Sequence, residues 1–188
     1  MASEKELTEF LTGVEKRAYK RSLYHVRNEE AALDIVQDSM MKLVEHYANK
    51  PAEELPMLFQ RILSNTTLDW FRRQKTRNAL FSNYEDFGKD SDDEDFNFLE
   101  LFNENNGDYQ HESAQELFLR AEILREIESA LQNLPGRQRE AFLLRYWEEL
   151  DVAETAAAMG CSEGSVKTHC SRAIQALHKA LIAKGLKP

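Results

Sequence analysis

The sequence predicts an all-α protein of two small helical domains joined by an acidic linker. Three observations carry this. Apolar residues recur at three- and four-residue steps along most of the chain, and no stretch alternates convincingly as a strand would. One internal segment holds most of the excess negative charge. Proline, glycine and asparagine clusters punctuate the periodic stretches at helical lengths.

The elements follow in order. Residues 4–27 form a helix on Leu7, Phe10, Leu11, Val14, Ala18 and Leu23. A polar break at 27–30 opens a second, to about Tyr47, on Leu33, Val36, Met40, Leu43, Val44 and Tyr47. Asn49-Lys50-Pro51 ends it. A third begins near Pro56, tolerated in a first turn, and runs through Leu58, Phe59, Ile62, Leu63, Thr66 and Trp70 to about Arg77. Beyond a change of character at 78–113, helices are expected at about 114–133, 136–148, 152–159 and 163–182. The domains are thus 1–80, a linker at 81–113, and 114–188.

The chain has 188 residues, 42% hydrophobic and 30% charged, enough to build cores. No apolar run approaches the ~18 residues of a membrane span, and the polar start MASEKELTEF is unlike a secretory signal. A cytoplasmic protein without membrane insertion is expected. The net charge of −9 is unevenly spread. Residues 81–112 hold eleven acids and one base, which leaves 23 bases and 22 acids elsewhere. Local basic patches can therefore still meet nucleic acid.

The most specific local pattern lies at the C-terminal end. Asp151 can cap a helix, with Glu154 completing a capping box. Ala156, Ala157 and Ala158 keep that helix thin, and Gly160 can end it in a left-handed conformation. Ser162 caps a second helix that buries Val166, Cys170, Ala173, Leu177 and Leu181. Its other face shows Ser165, Lys167, Thr168, His169, Arg172 and Gln175, side chains able to reach phosphates and base edges in a major groove. Taken alone, this is also the pattern of an ordinary helical hairpin with a solvated face.

The stretch LQNLPGRQREAFLLRYWEELDVAETAAAMGCSEGSVKTHCSRAIQAL resembles the fourth region of bacterial RNA polymerase sigma factors of the extracytoplasmic-function group. Leu134-Pro135, Arg139, Phe142, Tyr146, Glu154, Ala156, Gly160, Gly164, Val166, Lys167, Arg172 and Ala173 stand at matching places. The sequence departs at Thr155, where Ile is usual, at Ser165 for Thr, and at His169-Cys170. The resemblance implies that Ser162, Ser165, Lys167, Thr168, His169 and Arg172 read a −35 promoter element.

A second signal is MLFQRILSNTTLDWFRRQKTR, residues 57–77. Arg61, Asn65, Asp69 and Arg72 or Arg73 form a stripe, and Lys75 and Arg77 extend its charge. Asp69 can orient one of the two arginines, and Trp70 and Phe71 read as core. The pattern resembles the same family's second region. That implies contact of this helix with a −10 element, with melting of the duplex and capture of a flipped base. The helix before it, DIVQDSMMKLVEHY, resembles the core-polymerase-binding segment, with Asp34, Ile35, Gln37, Asp38, Met41, Lys42 and Glu45 as its contact residues. Met41 is read as the exposed apolar residue on an otherwise charged face.

The resemblance implies core RNA polymerase and promoter DNA as partners, an anti-sigma factor as a further partner, and a linker running through the polymerase cleft. The acidic segment 85–108 suits a nucleic-acid mimic there, displaced by growing RNA. No phosphate loop, GxSxG or HExxH occurs, so an enzyme is not expected. Cys161, His169, Cys170 and His178 follow no tetrahedral ligand spacing, and no metal or cofactor is expected. Two rivals remain at this level. One is a dimeric helix-turn-helix regulator acting without polymerase; the other is a helical adaptor that binds only protein.

Overall fold

The computed structural model describes residues 3–81 and 114–185. The acidic segment, with its expected short helix near 96–102 and its nucleic-acid-mimic reading, lies outside the described residues. Helix α1 spans Glu4–Val26, α2 Glu29–Tyr47 and α3 Leu55–Phe81, with a 3-10 turn at Ala52–Glu54 before α3. Then come α4 (Ala114–Gln132), α5 (Gly136–Phe142), a π-turn at Leu143–Trp147, α6 (Val152–Met159) and α7 (Glu163–Ala183). No strand occurs among the described residues.

Local chemistry sets the helix ends. Ser3 and Glu6 form a capping box that opens α1, and Asn28 caps α2 by accepting the Ala31 N–H. Arg27 closes α1 in the left-handed region, with φ 52°. The expected continuous helix over 136–148 is instead α5 followed by the π-turn, where the Glu148 N–H donates to the Leu143 carbonyl at 2.9 Å. Glu149 follows at φ 57°, which turns the chain towards the cap of α6.

Helices α1, α2 and α3 enclose one core of Ala18, Val26, Ala32, Ile35, Val36, Leu43, Leu55, Phe59 and Leu63. Leu33 and Val44, read from the sequence as part of the buried stripe of α2, are exposed. The stripe that α2 buries is Ala32, Ile35, Val36, Ser39 and Leu43. Around α7, the C-terminal helices enclose Ala141, Leu144, Ala156, Ala158, Met159, Val166 and Cys170, beside a second cluster of Leu131, Leu134, Ala173 and Leu177.

The two helical groups pack directly on each other: α3 lies against α6, and α1 against α5. Tyr24, Leu124 and Leu143 form a small shared cluster, with Trp147 edge-on to Tyr24 at 6.4 Å. This contact was not foreseen from the sequence. The C-terminal half of α1 buries Ala18, Lys20, Arg21, Ser22, Tyr24, His25 and Val26, leaving little of that half to solvent. A run of polar residues there reads as a solvated face unless the second group is known to cover it.

Candidate nucleic-acid interface

Trp70 packs on the first core, and it meets Phe71 edge-on at 5.0 Å. Phe71 itself is exposed, contrary to its reading as core. Beyond Trp70, Arg72, Arg73, Lys75 and Arg77 are all exposed. Further back, Arg61 and Asn65 are exposed as well. At about 100° per residue, Arg61, Asn65, Asp69, Arg72 and Lys75 share one side. Arg73 and Arg77 lie on the adjoining side. The Asp69 carboxylate accepts from Arg72 at 3.2 Å, so Arg72 is the arginine it orients.

The C-terminal hairpin has the expected caps. Asp151 accepts the Glu154 N–H at 2.8 Å, and Glu154 accepts the Asp151 N–H at 2.8 Å. Gly160 ends α6 at φ 62°, and Ser162 caps α7 by accepting the Ser165 N–H at 3.2 Å. Thr155, a departure from the family pattern, is fully buried, and its hydroxyl donates to the Asp151 carbonyl at 2.7 Å. The hydroxyl therefore carries no unpaired-polar penalty there. Arg137 donates to the Met159 carbonyl at the turn, at 3.3 Å from each terminal nitrogen. In the sequence the only signal for Arg137 is its place between the Leu-Pro and Arg of the motif.

The outward face of α7 is narrower than expected. Lys167, Thr168, Ser171, Arg172 and Gln175 are exposed. Ser162 and Ser165 are tied to each other, hydroxyl to hydroxyl at 2.9 Å, and serve as cap residues. The Thr168 hydroxyl donates to the Gly164 carbonyl at 2.9 Å. His169 is half-buried at the border, not displayed on the face. Burial, then Arg137 and Arg172, hold its pKa below the usual histidine value, so it is neutral at pH 7. The free charges on this face are those of Lys167 and Arg172.

On α2, Asp34, Gln37, Met41 and Glu45 are exposed, with Met41 at 60%. Asp38 pairs with Lys42 at 2.8 Å, and Lys42 also donates to the Thr66 hydroxyl at 3.3 Å, tying α2 to α3. Ile35 is 2% exposed and belongs to the core. It supports this surface from beneath and is removed from the set of contact residues. Leu33 and Val44 join Met41 outside, so the face carries three exposed apolar side chains where one was expected.

Residues 124–177 match the family model described as Sigma-70, region 4. The RNA polymerase sigma factor SigV of Bacillus subtilis is 28% identical over 169 residues, which is 89% of this chain and 86% of that protein. The ECF RNA polymerase sigma factor SigX of the same organism is 27% identical over 165 residues, 86% of this chain and 76% of that protein. Over most of its length the chain is thus similar to RNA polymerase sigma factors of the extracytoplasmic-function (ECF) group. Among solved structures, the sigma factor RpoE in complex with the anti-sigma factor NepR from Bartonella quintana superposes with a TM-score of 0.63 at 21% identity. It covers 94% of this chain and 97% of that one, and it shows a shared fold.

In this chain the signature Arg139 is a structural residue. Its guanidinium is buried and donates to the carbonyls of Leu131 (3.0 Å), Gln132 (2.6 Å) and Leu134 (2.8 Å), closing the α4–α5 turn. It also donates across to the Tyr24 and His25 carbonyls at 3.0 and 3.3 Å, at the end of α1. Nearby, Arg21 pairs with Glu140 at 3.6 Å and donates to Gln60 and, at 2.7 Å, to Ser64. Burial, followed by Arg21 and Arg139, pushes the His25 pKa well below the usual value and keeps the ring uncharged.

Proposed function

We propose that this chain binds core RNA polymerase through the exposed face of α2 and directs it to promoters by reading DNA with α3 and α7. Asp34, Gln37, Asp38, Met41, Lys42 and Glu45 form the polymerase contact, with Leu33 and Val44 widening its apolar part. An acidic surface with apolar centres suits a basic partner helix. Arg61, Asn65, Asp69, Arg72, Arg73, Lys75 and Arg77 engage the −10 element. Lys167, Thr168 and Arg172 engage the −35 element, while Ser162, Ser165 and His169 hold the hairpin in shape beside them.

The observation that carries this reading is the pair of exposed basic faces, one on α3 beyond Trp70 and one on α7 of a recognised region 4. Phosphate contacts from such faces set affinity, and the shorter polar groups beside them set base preference. The protein works in the cytoplasm as three parts, 1–80, 81–113 and 114–188, and performs no covalent chemistry; the polymerase does. An anti-sigma factor is a further partner.

Run-off transcription tests the reading. Purified core polymerase with this chain, on a library of promoter fragments, should yield new promoter-specific transcripts. Those transcripts should vanish with Arg72→Ala/Arg73→Ala. Absence of stimulation, together with tight DNA binding without polymerase, would instead favour a dimeric regulator.

A further inference from the structure

A helix lying in a major groove has a phosphate strand along each edge, because the groove is about 12 Å wide and the helix with its side chains about 10–12 Å across. Helix α7 is not equally equipped on its two edges. At about 100° per residue, Lys167 and His169 stand about 160° apart, on opposite edges of the outward face. Lys167 is exposed and supplies a cation to one edge. The other edge ends in His169, which is half-buried and held neutral by burial and by the Arg137 and Arg172 charges. Its Nδ1 is buried and makes no hydrogen bond. Arg172 leans towards this edge from the centre of the face.

Arg137 stands beside the His169 edge, although it belongs to α5. Its two terminal nitrogens donate at 3.3 Å to the carbonyl of Met159, the last residue of α6 and three positions before the cap of α7. Its charge acts on the His169 ring together with that of Arg172. One carboxylate is near, that of Glu140 at 3.7 Å, but it is 8% exposed and shared with the buried Arg21 at 3.6 Å. The Arg137 side chain is 40% exposed. A guanidinium has about five N–H groups in a rigid fork, and two go to the Met159 carbonyl, which leaves the rest for an acceptor outside.

We propose that Arg137 binds a backbone phosphate of the DNA strand that runs along the His169 edge of α7, from outside the helix-turn-helix. The ligand is a phosphodiester, so the contact fixes the register of the reading helix and carries no base preference. The bond to Met159 holds the guanidinium in place beforehand and so reduces the ordering cost of the contact. The inference rests on the reading of α7 as the partner of the −35 element.

The test uses holoenzyme reconstituted from core polymerase and the full chain, bound to a promoter recovered by run-off transcription. Arg137→Gln should lower the slope of log affinity against log potassium chloride by about 0.9, the share of one phosphate. It should weaken binding by the same factor on promoters that differ in their −35 bases. Arg137→Lys keeps the charge but cannot fork on the Met159 carbonyl, and it should keep the wild-type slope. Neutral methylphosphonate linkages, placed singly along the −35 element, should locate the contact: at one position the substitution weakens the wild type and leaves Arg137→Gln unaffected. A residue that only braces the turn would weaken binding at an unchanged slope, with every methylphosphonate acting equally on both proteins, and either result overturns the proposal. So does a slope lowered by Arg137→Lys as much as by Arg137→Gln. No promoter-specific complex with the wild type overturns the assignment of α7 and this inference with it. A specific complex whose slope Arg137→Gln leaves unchanged overturns this inference alone.

Discussion

Replacing Arg139 with Met should destabilise the whole molecule far more than an ordinary arginine substitution. Met keeps most of the aliphatic volume but removes all five donations, to Leu131, Gln132, Leu134, Tyr24 and His25. Each charged bond to a buried carbonyl contributes about 1.5–3 kcal/mol. Two effects reduce the sum. Burial, then Arg27, already lowers the Arg139 pKa, so the guanidinium is held at a desolvation cost. The Gln132 carbonyl also accepts from Arg27 and stays partly served. The net loss is roughly 3–5 kcal/mol, as for other broken buried charge networks. For a protein of this size that is a fall in Tm of about 10 °C. Thermal melting followed by far-ultraviolet circular dichroism reads it directly. Arg139→Lys is the sharper control, since one ammonium cannot fork between the α4–α5 turn and the end of α1, and it should recover less than half of the loss. A melting point for Arg139→Met within about 2 °C of wild type, or full recovery by Lys, would refute the account.

Three further outcomes are expected. Gly160→Ala should cost about 1 kcal/mol from the left-handed backbone alone, because nothing lies within 4 Å of an added Cβ; chemical denaturation should therefore shift its midpoint without changing its slope. Asp151→Ala, which removes the cap of α6, should cost about 1 kcal/mol by the same measurement, and Asp151→Asn should recover most of it. Burial raises the Glu128 pKa from 4.5 to about 7, so the native state holds this proton where the unfolded chain has lost it. Relative stability is then full below pH 4.5 and falls as pH rises through 7. Allowing for the half-exposed carboxyl, the fall is about 1 kcal/mol and should disappear in Glu128→Gln; a pH-independent wild type would contradict it.

The capping box of α6, the left-handed Gly160 and the cap at Ser162 were legible because each depends on neighbours within four residues. The basic residues of α3 were legible for the same reason. What was not legible depended on tertiary partners. Ile35 and Leu33 are both aliphatic and two positions apart, and only the crossing of α1 and α3 decides that one is core and the other surface. His169 could not be told from Thr168 as a displayed side chain, because its half-burial depends on tertiary packing that no local pattern reveals. Likewise Arg17 and Arg21 carry no local signal and Arg139 reads only as a family-signature residue, because their partners lie more than a hundred residues away in the chain or are backbone carbonyls that no pattern reveals.

The exposed basic end of α3 is free of the constraints that hold the core. Arg72, Arg73, Lys75 and Arg77 are exposed and belong to no core cluster, so exchanging them comes at almost no cost in folding. Selection can therefore retune this end of the helix one residue at a time, without the compensating changes that a buried position would demand. By contrast, the second half of α1 serves two neighbours at once, and a change there must satisfy both. In descendants of such a chain, the exposed tip of α3 should diversify freely, and the second half of α1 should change only in step with Glu140 and Glu148.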